Sequence, residues 1–168
     1  MRKHFMASSI CKIRSTYSYA TIEKCSEKGC SLRINNKVRN SIVILKGEKI
    51  TRNYKVCDCL IFIERKRDLI VMIVELKRKS IDVSVIKEKF ENTIDLLNDI
   101  ISNLNLRSPK DFFPVLLYER MRGPEFSMLK RLRLHFACET RYLILEKCGV
   151  DLSQIMKYCH NSVYIGLI

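Results

Sequence analysis

The chain has 168 residues, 47% of them hydrophobic and 29% charged, with 31 Lys and Arg against 18 Asp and Glu and a formal net charge of +13. That length suits one ordinary domain with a core of its own, and the composition excludes a disordered or low-complexity chain. The basic excess favours a polyanionic partner, nucleic acid ahead of a membrane surface, while no apolar run reaches the roughly 20 residues that a bilayer span requires.

In chain order, residues 1–14 read as a basic N-terminal arm, and "MRKHFMASSICKIRS" lacks the apolar stretch of a secretory signal. Residues 15–168 then read as a single domain. The stretch Ser15 to Glu27 shows no strand alternation and predicts a short helix, stopped by Gly29. "SIVILKGEKI" predicts a strand over Ser41 to Leu45 with a turn at Gly47. Two strands follow, Lys55 to Ile63 and Leu69 to Lys77, joined by the charged turn "ERKRD". Next comes the clearest helix, in which Ile86, Phe90, Ile94, Leu97, Ile101 and Leu104 recur at steps of three and four. Asp82 or Ser84 caps it and "NLRSP" ends it. A strand over Phe112 to Glu119 precedes a helix opened by Pro124, with Leu129, Leu132 and Phe136 on one face. Arg141 to Lys147 is the last buried strand, before a short helix capped by Asp151. This order predicts an α/β fold, a central mixed sheet of about five strands flanked by helices, with a parallel crossover joining the last two strands.

Eight cysteines, at positions 11, 25, 30, 57, 59, 138, 148 and 159, include no C-x-x-C, which argues against a zinc ribbon or finger. Cys57 and Cys59 lie in an apolar run and read as small core residues. Cys25 and Cys30 in "KCSEKGC" are either bridged or free. An intracellular, cytoplasmic location is expected, and abundant Lys, Ile and Arg with scarce Gln point to a thermophile. His4, His135 and His160 fall in no metal-binding spacing.

The chemistry concentrates in "VCDCLIFIERKRDLIVMIVELKRKS". Glu75 and Lys77, two apart on a strand, leave the same face. If Arg65 to Asp68 form the loop of an antiparallel hairpin, Glu64 pairs Leu69 and the register places Asp58 opposite Glu75, on that same face. Two carboxylates with room left for water suit Mg²⁺ or Mn²⁺, and a lysine beside them holds an attacking water or steadies phosphoryl charge.

Asp58, then E-L-K after sixteen intervening residues, on consecutive strands with a helix before and a long one after, resembles the PD-(D/E)XK nuclease superfamily. Cys57 stands where that motif has proline. The resemblance implies a restriction endonuclease-like core and a Mg²⁺-dependent (or Mn²⁺-dependent) deoxyribonuclease, endo- or exo-acting. It implies Asp58, Glu75 and Lys77 as catalytic residues, with the backbone carbonyl of Leu76 as a further metal ligand. It also implies an acidic residue from the first helix, Glu23 or alternatively Glu27, and a polar residue from the helix after the lysine strand, Lys87 or Glu88. The spacing of the late cysteines does not match the iron–sulfur members. Arg78 and Lys79 beside the site, and Lys130, Arg131 and Arg133 on a helix face, would line a DNA track. The expected partner is DNA; with no separate recognition domain visible, a homodimer, or a structure-directed or non-specific enzyme, is expected rather than a self-contained sequence reader. Two other readings stand beside the nuclease: a non-catalytic nucleic-acid-binding protein on the same fold, and an interaction protein in which Asp58 and Glu75 do not share a face.

Overall fold

The computed structural model describes residues 8–158. Helix α1 (Ser9–Thr16) opens the chain, followed by β1 (Thr21–Ile22), the short strands β2 (Ser26–Glu27) and β3 (Cys30–Ser31), β4 (Ile42–Lys46) and a single helical turn, α2 (Gly47–Ile50). Then come β5 (Cys59–Arg65), β6 (Asp68–Lys77), α3 (Val83–Asn103), β7 (Asp111–Tyr118), α4 (Gly123–Lys130), β8 (Arg133–Phe136), β9 (Glu139–Tyr142), β10 (Ile144–Lys147) and α5 (Leu152–Met156). Six strands form one mixed sheet in the order β1-β4-β5-β6-β7-β10. Strands β1 to β6 meet antiparallel, whereas β6, β7 and β10 run parallel. The parallel pairs need long crossovers, which α3 supplies for β6 to β7, and α4 with the β8–β9 hairpin for β7 to β10.

The apolar runs of β5 and β6 form central strands because both of their faces are covered. Residues 69–76 of β6 are buried throughout, Glu75 included. On one face, Val71 and Ile73 pack with Leu60 and Phe62 of β5 under Ile86, Phe90, Ile94 and Leu97 of α3, and Ile10 and Ile13 of α1 join them. On the other, Met72 and Val74 pack against Cys25, Cys30 and Leu32 from the β2–β3 region and Leu152 and Ile155 of α5. Burying each such aliphatic or aromatic side chain stabilises the fold by about 1.5–3 kcal/mol. Helix α3 starts where expected: Asp82 Oδ1 accepts from the backbone N–H groups of Ser84 (2.9 Å) and Val85 (3.1 Å), two of the donors that a helix start leaves open.

Several expectations are corrected. Residues 9–14 are not an arm: they form most of α1, and Ile10 and Ile13 anchor it in the core. The helix expected over 15–27 is replaced by the end of α1, a turn and two strand fragments. Helix α4 ends at Lys130, so Leu132 and Phe136 do not extend its face. Residues 133–136 alternate exposed and buried with period two and pair with β9 as a hairpin. The last expected strand divides at Leu143 into β9 and β10. Neither Cys25 nor Cys30 bridges the other: disulfides join Cys25 to Cys59 and Cys30 to Cys148. Cys59 is therefore a cross-link and not merely a core residue, while Cys57 is free and buried. Among the described residues no helix is long and apolar enough to cross a membrane. His4, Cys159 and His160 lie outside the described residues.

Candidate active site

The hairpin register decides what can meet. Glu64 pairs Leu69 as expected, and the turn is tighter than the four-residue loop by one further pair, Arg65 with Asp68. Lys66 closes it in the left-handed region at φ 59°. The ladder ends at Cys59 opposite Val74, so one step further sets Asp58 against Glu75. Asp58 lies just before β5, where the backbone bends, and three contacts hold that bend. Gly47 N–H donates to the Asp58 carbonyl (3.0 Å), Cys57 N–H donates to the Thr93 hydroxyl (2.8 Å), and Thr93 donates to the Lys89 carbonyl (2.6 Å). The Asp58 carboxylate then turns toward β6, its Oδ2 accepting from Leu76 N–H at 2.8 Å.

Gly47 is the tightest point of this frame. A Cβ there would sit 2.1 Å from the Cys57 carbonyl oxygen and 3.0 Å from Val56 Cγ2. Backbone cannot yield as a side chain can, so the segment carrying Asp58 must move. Gly47→Ala is expected to lose about 3 kcal/mol of stability in denaturant unfolding. An unchanged unfolding midpoint would show that the bend is looser than this contact implies.

Glu75 is fully buried on the face covered by α3. Its Oε1 accepts from Lys89 Nζ at 2.7 Å and faces Lys77 Nζ at 3.2 Å. Its Oε2 has no hydrogen-bond partner among the described residues. Burial pushes the Glu75 carboxyl above the usual carboxylate range and the Asp58 charge pushes the same way, while Lys89 and Lys77 pull it down. Burial opposes the charge on Lys89, but the Glu75 carboxylate, its hydrogen bond and the Asp58 charge outweigh it and lift the ammonium above its ordinary value. Cys57 sits within the field of the same pair; burial, with the Glu75 charge behind it, holds its thiol well above the ordinary range and thus neutral.

Asp58 lines a cleft of about 530 Å³ together with Leu76, Lys77, Arg78, Lys79, Lys89, Glu27 and Lys28, and Glu75 is not among its lining residues. Five cations against two carboxylates make its wall attractive to an anion. Arg78 and Lys79 thus lie beside Asp58 and Lys77 as expected, although Arg78 also donates to Glu119 at 2.7 Å. Lys130, Arg131 and Arg133 do not line this cleft and do not form a helix face: Lys130 ends α4, Arg131 follows it and Arg133 begins β8.

Glu23 lines a different recess, with Arg14, Ile22, Ile34 and Arg39. The acid that reaches the cleft is the alternative, Glu27, delivered by the β2–β3 hairpin and not by a helix. Its hydrogen bond to Lys46 (2.7 Å) holds its carboxyl below the usual range. Lys87 and Glu88 face outward, pairing with Glu91 and Lys55, and Lys89 supplies the α3 side chain at the site. A signal for Lys89 is present in the chain: positions 86, 89, 93, 97 and 100 form one helical stripe, otherwise apolar or buried, and a cation inside such a stripe needs a buried anion.

The donor set fits a hard divalent cation. Among the described residues no group of three or more His, Cys, Asp and Glu side chains could hold a metal ion, which argues against an all-protein cage. Mg²⁺ needs no such cage, since it retains several waters and is typically held by one or two carboxylates. An orphaned, fully buried carboxylate oxygen beside a second carboxylate is an acceptor in search of a cation. Compared with known proteins, the chain matches no family model, no curated protein and no solved structure.

Proposed function

We propose that the protein is a metal-dependent nuclease hydrolysing DNA phosphodiester bonds, built on a restriction endonuclease-like core. The observation that carries this reading is the unpartnered Oε2 of Glu75, buried close to Asp58, which itself lines a basic cleft. Asp58, Glu75 and the Leu76 carbonyl would hold Mg²⁺ or Mn²⁺, which when bound supplies water activation and neutralises charge building on a phosphoryl group. Lys77, the half-exposed member of the site, donates hydrogen bonds to an attacking water or a phosphoryl oxygen. Lys89, deeper, orients Glu75 and favours its ionised form against the burial that opposes it. Lys28, Arg78 and Lys79 bind the flanking phosphates.

A homodimer would supply a second site for the opposite strand. An intracellular location is compatible with the two disulfides in a hyperthermophile, whose intracellular proteins retain such bonds.

One observation favours a second reading, a nucleic-acid-binding protein without catalysis: two lysines already occupy Glu75 Oε1. The readings separate in an assay of labelled linear, circular and branched DNA with Mg²⁺, Mn²⁺ or EDTA. The nuclease reading expects metal-dependent cutting by the parent, and loss of it in Lys77→Ala and Asp58→Asn. Tight, salt-sensitive binding with no cutting in either metal would favour the binder.

A further inference from the structure

Away from the active-site cleft, a groove of about 780 Å³ runs between α4, the β8–β9 hairpin and the exposed edge of β10. Its rim carries large aromatic surfaces that the core does not use: Phe126 is 36% exposed, Tyr142 53% and Tyr158 40%. The residues lining it include no carboxylate and two cations, Lys130 and Arg141, of which Arg141 is ion-paired with Asp111 (3.3 Å) and Glu139 (2.8 Å). The Arg133 guanidinium lies 5.4 Å from the centroid of the Tyr142 ring, and neither Lys130 nor Arg133 makes an ion pair among the described residues. Tyr158 is held in place by donating its hydroxyl to Glu146. Tyr118, paired in register with Lys77, meets Phe126 edge-on at 6.4 Å.

Solvent-exposed aromatic rings interleaved with unpaired cations are what a flexible polyanion with exposed π-faces requires. A duplex hides its base faces in the stack, whereas a single strand offers one per nucleotide. The net charge of +13 gives the whole chain a long-range pull on the same ligand. We propose that this groove binds single-stranded nucleic acid, with bases stacking on Phe126, Tyr142 and Tyr158 and phosphates meeting Lys130 and Arg133. The basic cluster of residues 130–133 thus serves a strand that leaves the duplex, not the duplex at the metal site. The proposal does not depend on catalysis.

The test uses the full-length protein in EDTA, where no metal-dependent cutting occurs, and follows fluorescence anisotropy of labelled dT20 and of a duplex of equal length. The chain has no Trp and seven Tyr, so quenching of intrinsic tyrosine fluorescence reports stacking directly. The expected result is tighter binding of dT20 than of duplex, with tyrosine quenching. Phe126→Ala and Tyr142→Ala should each weaken dT20 binding roughly tenfold, the scale of one lost base stack, with little change for duplex. Tyr142→Phe should retain binding, which separates stacking from loss of fold. Equal affinity for both probes, or undiminished dT20 binding in both alanine variants, overturns the proposal. So does a dimer in sedimentation that Tyr142→Ala converts to monomer, because the groove would then be an interface between copies. None of these outcomes depends on whether the metal site cuts DNA.

Discussion

Glu75→Gln is expected to abolish DNA cleavage and, in the same protein, the stabilisation by Mg²⁺ that is expected of the parent on heating. Glutamine preserves the volume and an acceptor for Lys89, so the packing under α3 survives, while the negative charge that would attract a cation is gone. A metal in a phosphoryl-transfer site contributes several kcal/mol, and each 1.4 kcal/mol or so is a factor of ten, so the loss should be on the order of a thousandfold. The thermal readout is independent of turnover. At Mg²⁺ about tenfold above its dissociation constant the parent gains roughly 1.4 kcal/mol, a rise of about 3–6 °C for a chain of this size. A variant that cuts like the parent, or a parent indifferent to both metals, would refute the assignment of Glu75.

The same residue fixes the sign of the pH dependence. Burial and the Asp58 charge raise the folded-state pKa of Glu75 above its unfolded value. The folded protein therefore holds this proton more tightly than the unfolded chain does. That contribution to stability is complete below the unfolded carboxylate value and is lost as pH rises through the higher folded value. Metal-free protein thus loses stability over that window, while a cation, which needs the ionised carboxylate, gains on the proton. The Mg²⁺-induced rise in melting temperature should accordingly be smaller at pH 5 than at pH 8, and in Glu75→Gln it should be absent at both.

How much of this was legible in the chain depends on the range of the forces involved. The β5–β6 register was readable because Glu64 and Leu69 bound a turn of solvent-seeking charges, and a slip of one residue would have turned the apolar set of either strand outward. Helix α3 was readable because its period and its Asp82 cap are local. The short stretch 133–136 reads as helix because Phe136, with Leu132 just before the stretch, also fits the helical spacing begun by Leu129; only the alternation of exposed and buried residues identifies a strand. Glu27 ranks only second to Glu23 in the sequence, and Lys89 is not singled out there, for a physical reason. Their roles depend on where a hairpin tip and a helix face come to rest against β6, which no local pattern encodes. The contact of Gly47 with the Cys57 carbonyl, and the pairing of Cys25 and Cys30 with distant partners, are likewise properties of the assembled sheet.

The disulfides carry the second large effect. Cys25 and Cys30 flank the β2–β3 hairpin, a two-stranded element with only two paired positions. Such a hairpin is marginal on its own in water. Lys28 and Gly29 at its tip adopt left-handed backbone, and a Cβ on Gly29 would touch the Arg78 side chain at 3.6 Å, so the tip rests over the basic cleft that Asp58 lines. Its two cross-links tie it to Cys59, next to Asp58, and to Cys148, just beyond β10, across sequence separations of 34 and 118. Loops of that length place each bond at about 2–5 kcal/mol. Reduction of both is expected to lower the melting temperature by on the order of 10–20 °C, and trypsin should then cut after Lys28 while the sheet is still folded. Glu27 and Lys28 leave the cleft with the hairpin, whereas Asp58, Glu75 and Lys77 stay, held by Gly47, Thr93 and the sheet itself. Below the reduced melting temperature, cleavage should therefore weaken chiefly through poorer DNA binding, a higher KM at nearly constant kcat, in contrast to the loss of kcat in Glu75→Gln. A melting temperature unmoved by reductant, with a trypsin-resistant hairpin, would mean that the packing of Leu32 and its neighbours, and not the cross-links, holds the hairpin over the site.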